Sequence, residues 1–166
     1  WITPLKALAK DMERQFQQTV HDFQLSVRVE RRTGDVSASV KKRQQTNMPE
    51  VLITTPESLH VLMAQKKHER YFKKLQAIVV DEWHELMGSK RGTQTELFLA
   101  RVRALNPKVQ TLGISATLGN MDEALEVLMG TEERYQKAVK VSAKIPKKIE
   151  LRSIFPSSVE VFPWHG

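Results

Sequence analysis

Leu5, Leu8, Ala9, Met12 and Phe16 recur at the spacing of one helical face, so the pattern predicts an amphipathic helix near the start of the chain. Ahead of it, Trp1-Ile2-Thr3-Pro4 reads as the tail of an extended segment, because Pro4 biases Thr3 away from helical space and suits a helix's first turn. Leu25, Val27 and Val29 alternate with Ser26, Arg28 and Glu30, which predicts a half-buried strand ending in the turn Thr33-Gly34-Asp35. A short polar helix is expected over 37–45, then a brief buried strand at Val51-Leu52-Ile53. Thr55-Pro56-Glu57 supplies an N-cap, a first-turn proline and a first-turn acid for a helix that buries Leu59, Leu62 and Met63. The charged run from Lys66 to Lys74 reads as a solvated helix end and loop.

Ala77-Ile78-Val79-Val80 is a continuous apolar run of the kind buried in a parallel sheet, and it stops at Asp81-Glu82. A helix over 95–105 buries Phe98, Val102 and Leu105 before Asn106-Pro107 breaks it, and a strand over 109–115 ends in Ser115-Ala116-Thr117. Asn120 and Glu123 form a capping box for a helix carrying Ala124, Leu125 and Leu128, closed by Gly130. Val139-Lys140-Val141 and Ile149-Glu150-Leu151 are candidate late strands, and 153–166 reads as a linker. Strands alternating with helices specify an α/β domain with a mainly parallel sheet, whose ligands gather at the strands' carboxyl ends. Asp81-Glu82 and Ser115-Ala116-Thr117 both fall at that edge.

Composition narrows the class. With 166 residues the chain is one α/β domain or part of a larger one, and 26 Lys and Arg against 19 Asp and Glu give a net charge of +7, spread over both halves. That balance raises the odds of a polyanionic partner without identifying it. No apolar run approaches the roughly 18 residues that cross a bilayer, so no membrane role is expected. The absence of cysteine removes disulfides and thiolate metal sites, and no secretory signal pattern opens the sequence.

Two consecutive carboxylates after a buried strand suit magnesium–nucleotide chemistry, in which one holds a hydrated cation and its neighbour positions or deprotonates a water. An isolated Asp-Glu pair more often simply ends a strand in solvent. His84-Glu85 fails the zinc pattern, since position 88 is Gly, and the five histidines are scattered. Lys90-Arg91-Gly92 is equally a further contact or a solvated basic loop.

Asp81-Glu82-Trp83-His84 resembles the DExH form of motif II in superfamily 2 helicases. Residues 2–9, Ile-Thr-Pro-Leu-Lys-Ala-Leu-Ala, are similar to motif Ia, Thr33-Gly34-Asp35 to the Ib region, residues 54–59 to the TPES motif, and Ser115-Ala116-Thr117 to motif III. Residues 83–92 together with Phe162-Pro163-Trp164 resemble the Lhr-type helicases more narrowly, including the ligase-associated bacterial group. The resemblance covers nearly the whole chain. It implies a RecA-like (P-loop NTPase-type) α/β fold lacking the phosphate-loop strand and helix, with residues 1–152 part of a first motor domain and 153–166 a linker toward a second.

By the same resemblance, the cofactors are ATP and Mg²⁺. Asp81 would hold Mg²⁺ through water, Glu82 would activate the attacking water, and His84, Ser115 and Thr117 would couple the nucleotide site to the nucleic-acid track. Pro4, Lys6, Thr33, Gly34, Thr55, Pro56 and Arg91 would lie along one strand's backbone, where helix N-termini favour phosphate without reading bases. The implied partners are single-stranded or partly duplex DNA, with RNA as an alternative, and the second motor domain. The expected location is cytoplasmic and nucleoid-associated. The sequence holds no Gly-Lys-Ser/Thr loop, so this chain alone is expected to lack ATPase activity, and its uncovered sheet edges are expected to favour self-association. The rival reading is a nucleic-acid-binding module without catalysis; a phosphohydrolase of another kind is weaker, having no ligand set beyond Asp81-Glu82.

Overall fold

The computed structural model describes residues 1–66, 68–116, 119–142 and 150–152. Strands β1 (Val29–Arg32), β2 (Val51–Thr54), β3 (Ala77–Val80) and β4 (Gln110–Gly113) alternate with helices α1 (Lys6–Asp22), α2 (Ala38–Thr46), α3 (Pro56–Met63), α4 (Glu69–Phe72), α5 (Trp83–Leu86), α6 (Lys90–Leu105), α7 (Met121–Met129) and α8 (Glu132–Gln136). β1 pairs with β2 and β3 with β4, both in parallel. Residues 1–3 join the two pairs. Ile2 bridges Thr54 on one side and Val80 on the other, both in parallel, so the sheet runs β1, β2, the Trp1–Thr3 segment, β3, β4. The extended segment anticipated before α1 is thus a central ladder member: the Ile2 N–H donates to Val79 O at 2.8 Å, Thr3 N–H to Thr54 O at 3.0 Å, and Asp81 N–H to Ile2 O at 2.8 Å.

Period-2 alternation divides the core between the two faces. Val51 and Ile53 join Val29, Ala9, Met12, Phe16 and Trp1 beneath α1, whereas Leu52 joins Ile2, Ile78 and Val80 on the opposite face. That second face carries the larger core, filled by Leu59 and Leu62 of α3, Phe98, Leu99 and Val102 of α6, and Ala124 and Leu128 of α7.

Several sequence expectations shift, each for a local reason. Residues 23–25 turn rather than extend. Gln24 takes a left-handed φ of 52°, and the Leu25 N–H bonds back to Val20 O, so Leu25 is exposed and the strand starts at Val29. α6 starts at Lys90, five residues early, because Ser89 caps it by accepting the Gly92 N–H at 3.1 Å. Lys90-Arg91-Gly92 is therefore a helix's first turn. Gly92 is needed there, since a Cβ would meet Leu86 O at 2.1 Å. The charged run 66–74 contains α4, whose Phe72 is buried edge-on against Phe98 with ring centroids 5.3 Å apart. Val139 and Val141 are 81% and 90% exposed and join no strand among the described residues. Of the second candidate late strand, Glu150 and Leu151 are not in a strand, while Ile149 and the linker 153–166 lie outside the described residues. Asn120 caps α7, its Oδ1 accepting the Glu123 N–H at 3.2 Å; Glu123 accepts from the Asn120 side-chain amide at 3.0 Å in place of the backbone bond of a full capping box, and Gly130 closes α7 with φ 73°.

Candidate active site and nucleic-acid interface

β3 ends at Val80, and the chain turns at once into α5, which places Asp81 and Glu82 at the carboxyl edge of the sheet. Glu82 is the N-cap of α5 in the left-handed region, φ 48° and ψ 45°. A non-glycine residue in that conformation costs of order 1 kcal/mol and clusters at functional positions. Both oxygens of Asp81 are engaged: Oδ1 accepts the Glu82 N–H at 3.1 Å, and Oδ2 accepts the indole N–H of Trp1 at 3.2 Å. Sequence reasoning missed Trp1, and no local signal could have found it, because its partner is 80 positions away.

His84, one turn further on, lies between three groups. Its Nδ1 is 3.0 Å from Ser115 Oγ and 3.4 Å from Glu82 Oε2, and its Nε2 is 3.5 Å from Glu85 Oε1. The motif-II-like and motif-III-like segments therefore touch through His84 and Ser115. The backbone holds them in place, since Trp83 N–H donates to Ile114 O at 3.0 Å, and the buried Trp83 indole donates to Ala124 O of α7 at 2.9 Å. Thr117 lies outside the described residues.

The residues assigned to nucleic acid form a second group, reached from Asp81 through the Trp1–Thr3 segment. Lys6 on α1 lies over Gly34: a Cβ there would meet Lys6 Nζ at 3.2 Å. Lys41 of α2 donates to Gly34 O at 2.9 Å, a second cation that the sequence pattern did not single out because it sits in a polar helix. Arg91 donates to Pro4 O at 3.2 Å and pairs with Glu57 at 2.6 Å, tying α6 to the chain entering α1 and to the start of α3.

Burial separates two roles within that group. Lys6, Gly34 and Arg91 are exposed, whereas Pro4, Thr33, Thr55 and Pro56 are buried. The Thr33 hydroxyl donates to Asp35 Oδ1 at 2.5 Å and accepts from Arg31 at 3.0 Å, and the Thr55 hydroxyl donates to Ser58 Oγ at 3.2 Å. The side chains of these four are buried, and the hydroxyls of the two threonines are already paired within the chain. The Thr33 hydrogen bond, then Arg31, hold the Asp35 carboxyl well below the usual carboxylate range.

The described residues contain no group of three or more His, Asp or Glu side chains able to enclose a metal ion. A lone carboxylate still fits Mg²⁺, which keeps several waters and uses one or two carboxylates plus substrate phosphates.

Comparison with known proteins identifies the family. Residues 1–125 match the family model described as DEAD/DEAH box helicase. The chain belongs to the DEAD/DEAH box helicase family. It is 32% identical over 164 residues to the ATP-dependent helicase Lhr-Core of Saccharolobus solfataricus, covering 94% of this chain and 18% of that protein. It is 33% identical over 141 residues to the Lhr helicase/uracil glycosylase of Escherichia coli, covering 78% of this chain and 9% of that protein. Among solved structures, the helicase Lhr of Mycobacterium smegmatis bound to ssDNA and AMP-PNP superposes with a TM-score of 0.67 at 33% identity, covering 78% of this chain and 18% of that one. The RecA-like fold and the Lhr resemblance read from the sequence are both upheld. The chain thus spans less than a fifth of the length of these relatives.

Proposed function

We propose that this helicase-family chain is part of the first motor domain of an ATP-dependent DNA translocase of Lhr type, providing one wall of the nucleotide site and part of a single-strand track. The observation that carries the reading is the convergence of Asp81, Glu82, His84 and Ser115 at one sheet edge, with His84 in hydrogen-bond reach of Ser115 at 3.0 Å.

Asp81 would hold the hydrated Mg²⁺, which when bound neutralises charge on the nucleotide's phosphates. Glu82 accepts a proton from the water that attacks the terminal phosphate; the turn into α5 sets its carboxylate beside the His84 ring, 3.4 Å from Nδ1. His84 can exchange partners between Ser115 and Glu82, since one nitrogen lies within 3.4 Å of both. Such an exchange lets a change at the nucleotide move the segment after β4, and through Trp83 also α7. Thr117 belongs with the same coupling segment. Lys6, Gly34, Arg91 and the amides opening α3 lie along the strand's backbone, with Pro4, Thr33, Thr55 and Pro56 shaping that surface. RNA in place of DNA engages the same backbone contacts.

This chain holds no Gly-Lys-Ser/Thr loop, and phosphoryl transfer relies on such a loop and its Lys to cradle the phosphates, with an Arg supplied to the transition state worth roughly 10³–10⁵ in rate. Alone it is inactive. A second motor domain in the same polypeptide supplies the opposite wall. The test is single-strand-stimulated ATP hydrolysis by this chain, by the full-length protein, and by the full-length protein with Glu82→Gln. Hydrolysis by the full-length protein alone, lost with Glu82→Gln, is the expected result. A full-length protein that binds DNA yet never hydrolyses ATP replaces the motor with a binding module.

A further inference from the structure

We propose that Trp1 is a positioning residue for Asp81: its indole N–H fixes the carboxylate rotamer that receives the hydrated magnesium ion. The inference rests on the ATPase reading above and extends it to a residue outside the recognised motifs.

The placement of Trp1 is determined on three sides. Its backbone nitrogen donates to Leu52 O at 2.8 Å and its carbonyl accepts from Thr54 N–H at 2.9 Å, which locks the residue into the sheet beside β2. Its ring stands edge-on to Phe16 of α1, with centroids 5.1 Å apart and planes at 81°. With backbone and ring both fixed, the N–H has one direction to point, and Asp81 Oδ2 lies there at 3.2 Å. Asp81 is bound to the same segment through its own backbone, its N–H donating to Ile2 O at 2.8 Å.

The chemistry of a water-mediated carboxylate gives this contact its use. Mg²⁺ demands near-octahedral geometry, and a carboxylate that reaches it through waters must present its lone pairs in one orientation. A free Asp side chain rotates about two bonds, so each hydrogen bond that pins it removes alternatives before the ion arrives. The Glu82 N–H on Oδ1 is one such restraint, local to the turn; the Trp1 N–H on Oδ2 is the second, and the one a point mutation can delete. Each carboxylate oxygen accepts more than one hydrogen bond, so capacity remains for the ion's waters. Removing a group that is hydrogen-bonded to a metal-ligating side chain typically changes metal affinity ten- to a hundredfold. A contact at 3.2 Å, at the long end of the normal range, belongs below that.

The experiment compares full-length wild type with Trp1→Phe, which keeps a ring against Phe16 and removes only the donor, and with Phe16→Leu, which loosens the ring contact and keeps the donor. Two quantities are read: Mn²⁺ binding in the presence of a non-hydrolysable ATP analogue by electron paramagnetic resonance, and the Mg²⁺ dependence of single-strand-stimulated hydrolysis at saturating nucleotide. Trp1→Phe is expected to weaken Mn²⁺ binding and raise half-saturating Mg²⁺ about three- to tenfold, with turnover at saturating Mg²⁺ within about threefold of wild type. Phe16→Leu is expected to stay within about twofold on both. Unchanged metal dependence in Trp1→Phe, or an equal shift in both variants, overturns the positioning role in favour of simple packing. A wild type that binds no Mn²⁺ with nucleotide overturns the ATPase reading itself, and is distinguished by failing before any substitution is made.

Discussion

The two edges of the sheet are finished in opposite ways. In a parallel ladder alternate residues of an edge strand turn their N–H and C=O groups outward. On β1 these belong to Val29 and Arg31, and neighbouring helices bind three of the four: Gln17 donates to Val29 O at 3.0 Å, Glu13 accepts the Arg31 N–H at 2.8 Å, and Gln44 donates to Arg31 O at 3.1 Å. Charge reinforces the closure, with Arg31 Nε on Glu13 at 2.9 Å and Arg43 on Glu30 at 2.9 Å. On β4 the outward groups belong to Thr111 and Gly113, and their backbone has no partner among the described residues. The face that α1 covers over β1 and β2 is bare here, where Leu112 and Ile114 are 48% and 45% exposed.

The lesson is that a sealed edge and an open edge divide structure from chemistry. Edge strands are ordinarily protected against pairing with other chains. β1 obeys that rule with side chains from two helices, while β4, beside Asp81, Glu82 and Ser115, does not.

The largest expected effect tests whether the open side is the catalytic one. In the full-length protein Glu82→Gln is expected to lower stimulated ATP hydrolysis by about 10²–10⁴-fold with nucleic-acid binding retained, whereas Glu13→Ala on the sealed side leaves the hydrolysis rate per folded molecule within about twofold. Similar losses in both would erase the distinction. Next, the isolated chain is expected to self-associate through β4. Light scattering should record dimers or larger species, and Leu112→Lys should weaken that association at least about tenfold, by placing a charge on an exposed edge strand. A wild-type chain that stays monomeric at high concentration removes the prediction.

Opening the sealed edge should show as lost stability. Glu13→Ala deletes bonds to both the Arg31 backbone and its guanidinium, at a cost of about 2 kcal/mol, and Gln17→Ala deletes one neutral bond, at a cost of about 1 kcal/mol, both read from denaturant midpoints. The smallest effect is acid sensitivity. The Arg28 guanidinium and backbone hold Glu50 at about 2, and Thr33 and Arg31 hold Asp35 well below its usual range. Since a carboxylate depressed on folding stabilises above its unfolded value near 4 and loses that contribution as pH falls through the folded value, stability should decline from about pH 4 downward. Asp35→Asn should flatten that decline in thermal melts; an unaltered slope would mean that other groups govern it. Both carboxylates are solvent-accessible, so the contribution is modest.

What the sequence by itself determined is whatever a short window of chain dictates. Alternation around Val29, short apolar runs at 51–53 and 77–80, and helical periodicity in α1, α3, α6 and α7 located most of the elements, and caps such as Asn120 and Gly130 bounded α7, because these preferences arise from neighbouring residues. The chain order also put Asp81, Glu82 and His84 directly after a strand, where the structure has them. The tertiary structure decided what depends on contacts between distant parts. It placed the extended Trp1–Thr3 segment between β2 and β3, a position in the sheet that its own sequence does not state. It turned Thr33, Thr55, Pro4 and Pro56 inward and left Lys6, Gly34 and Arg91 to face outward, a choice that only the packing of α1, α3 and α6 fixes. It set one edge under helices and left the other open, because whether a strand's outward amides find partners depends on elements folded from elsewhere in the chain, and no local pattern encodes that.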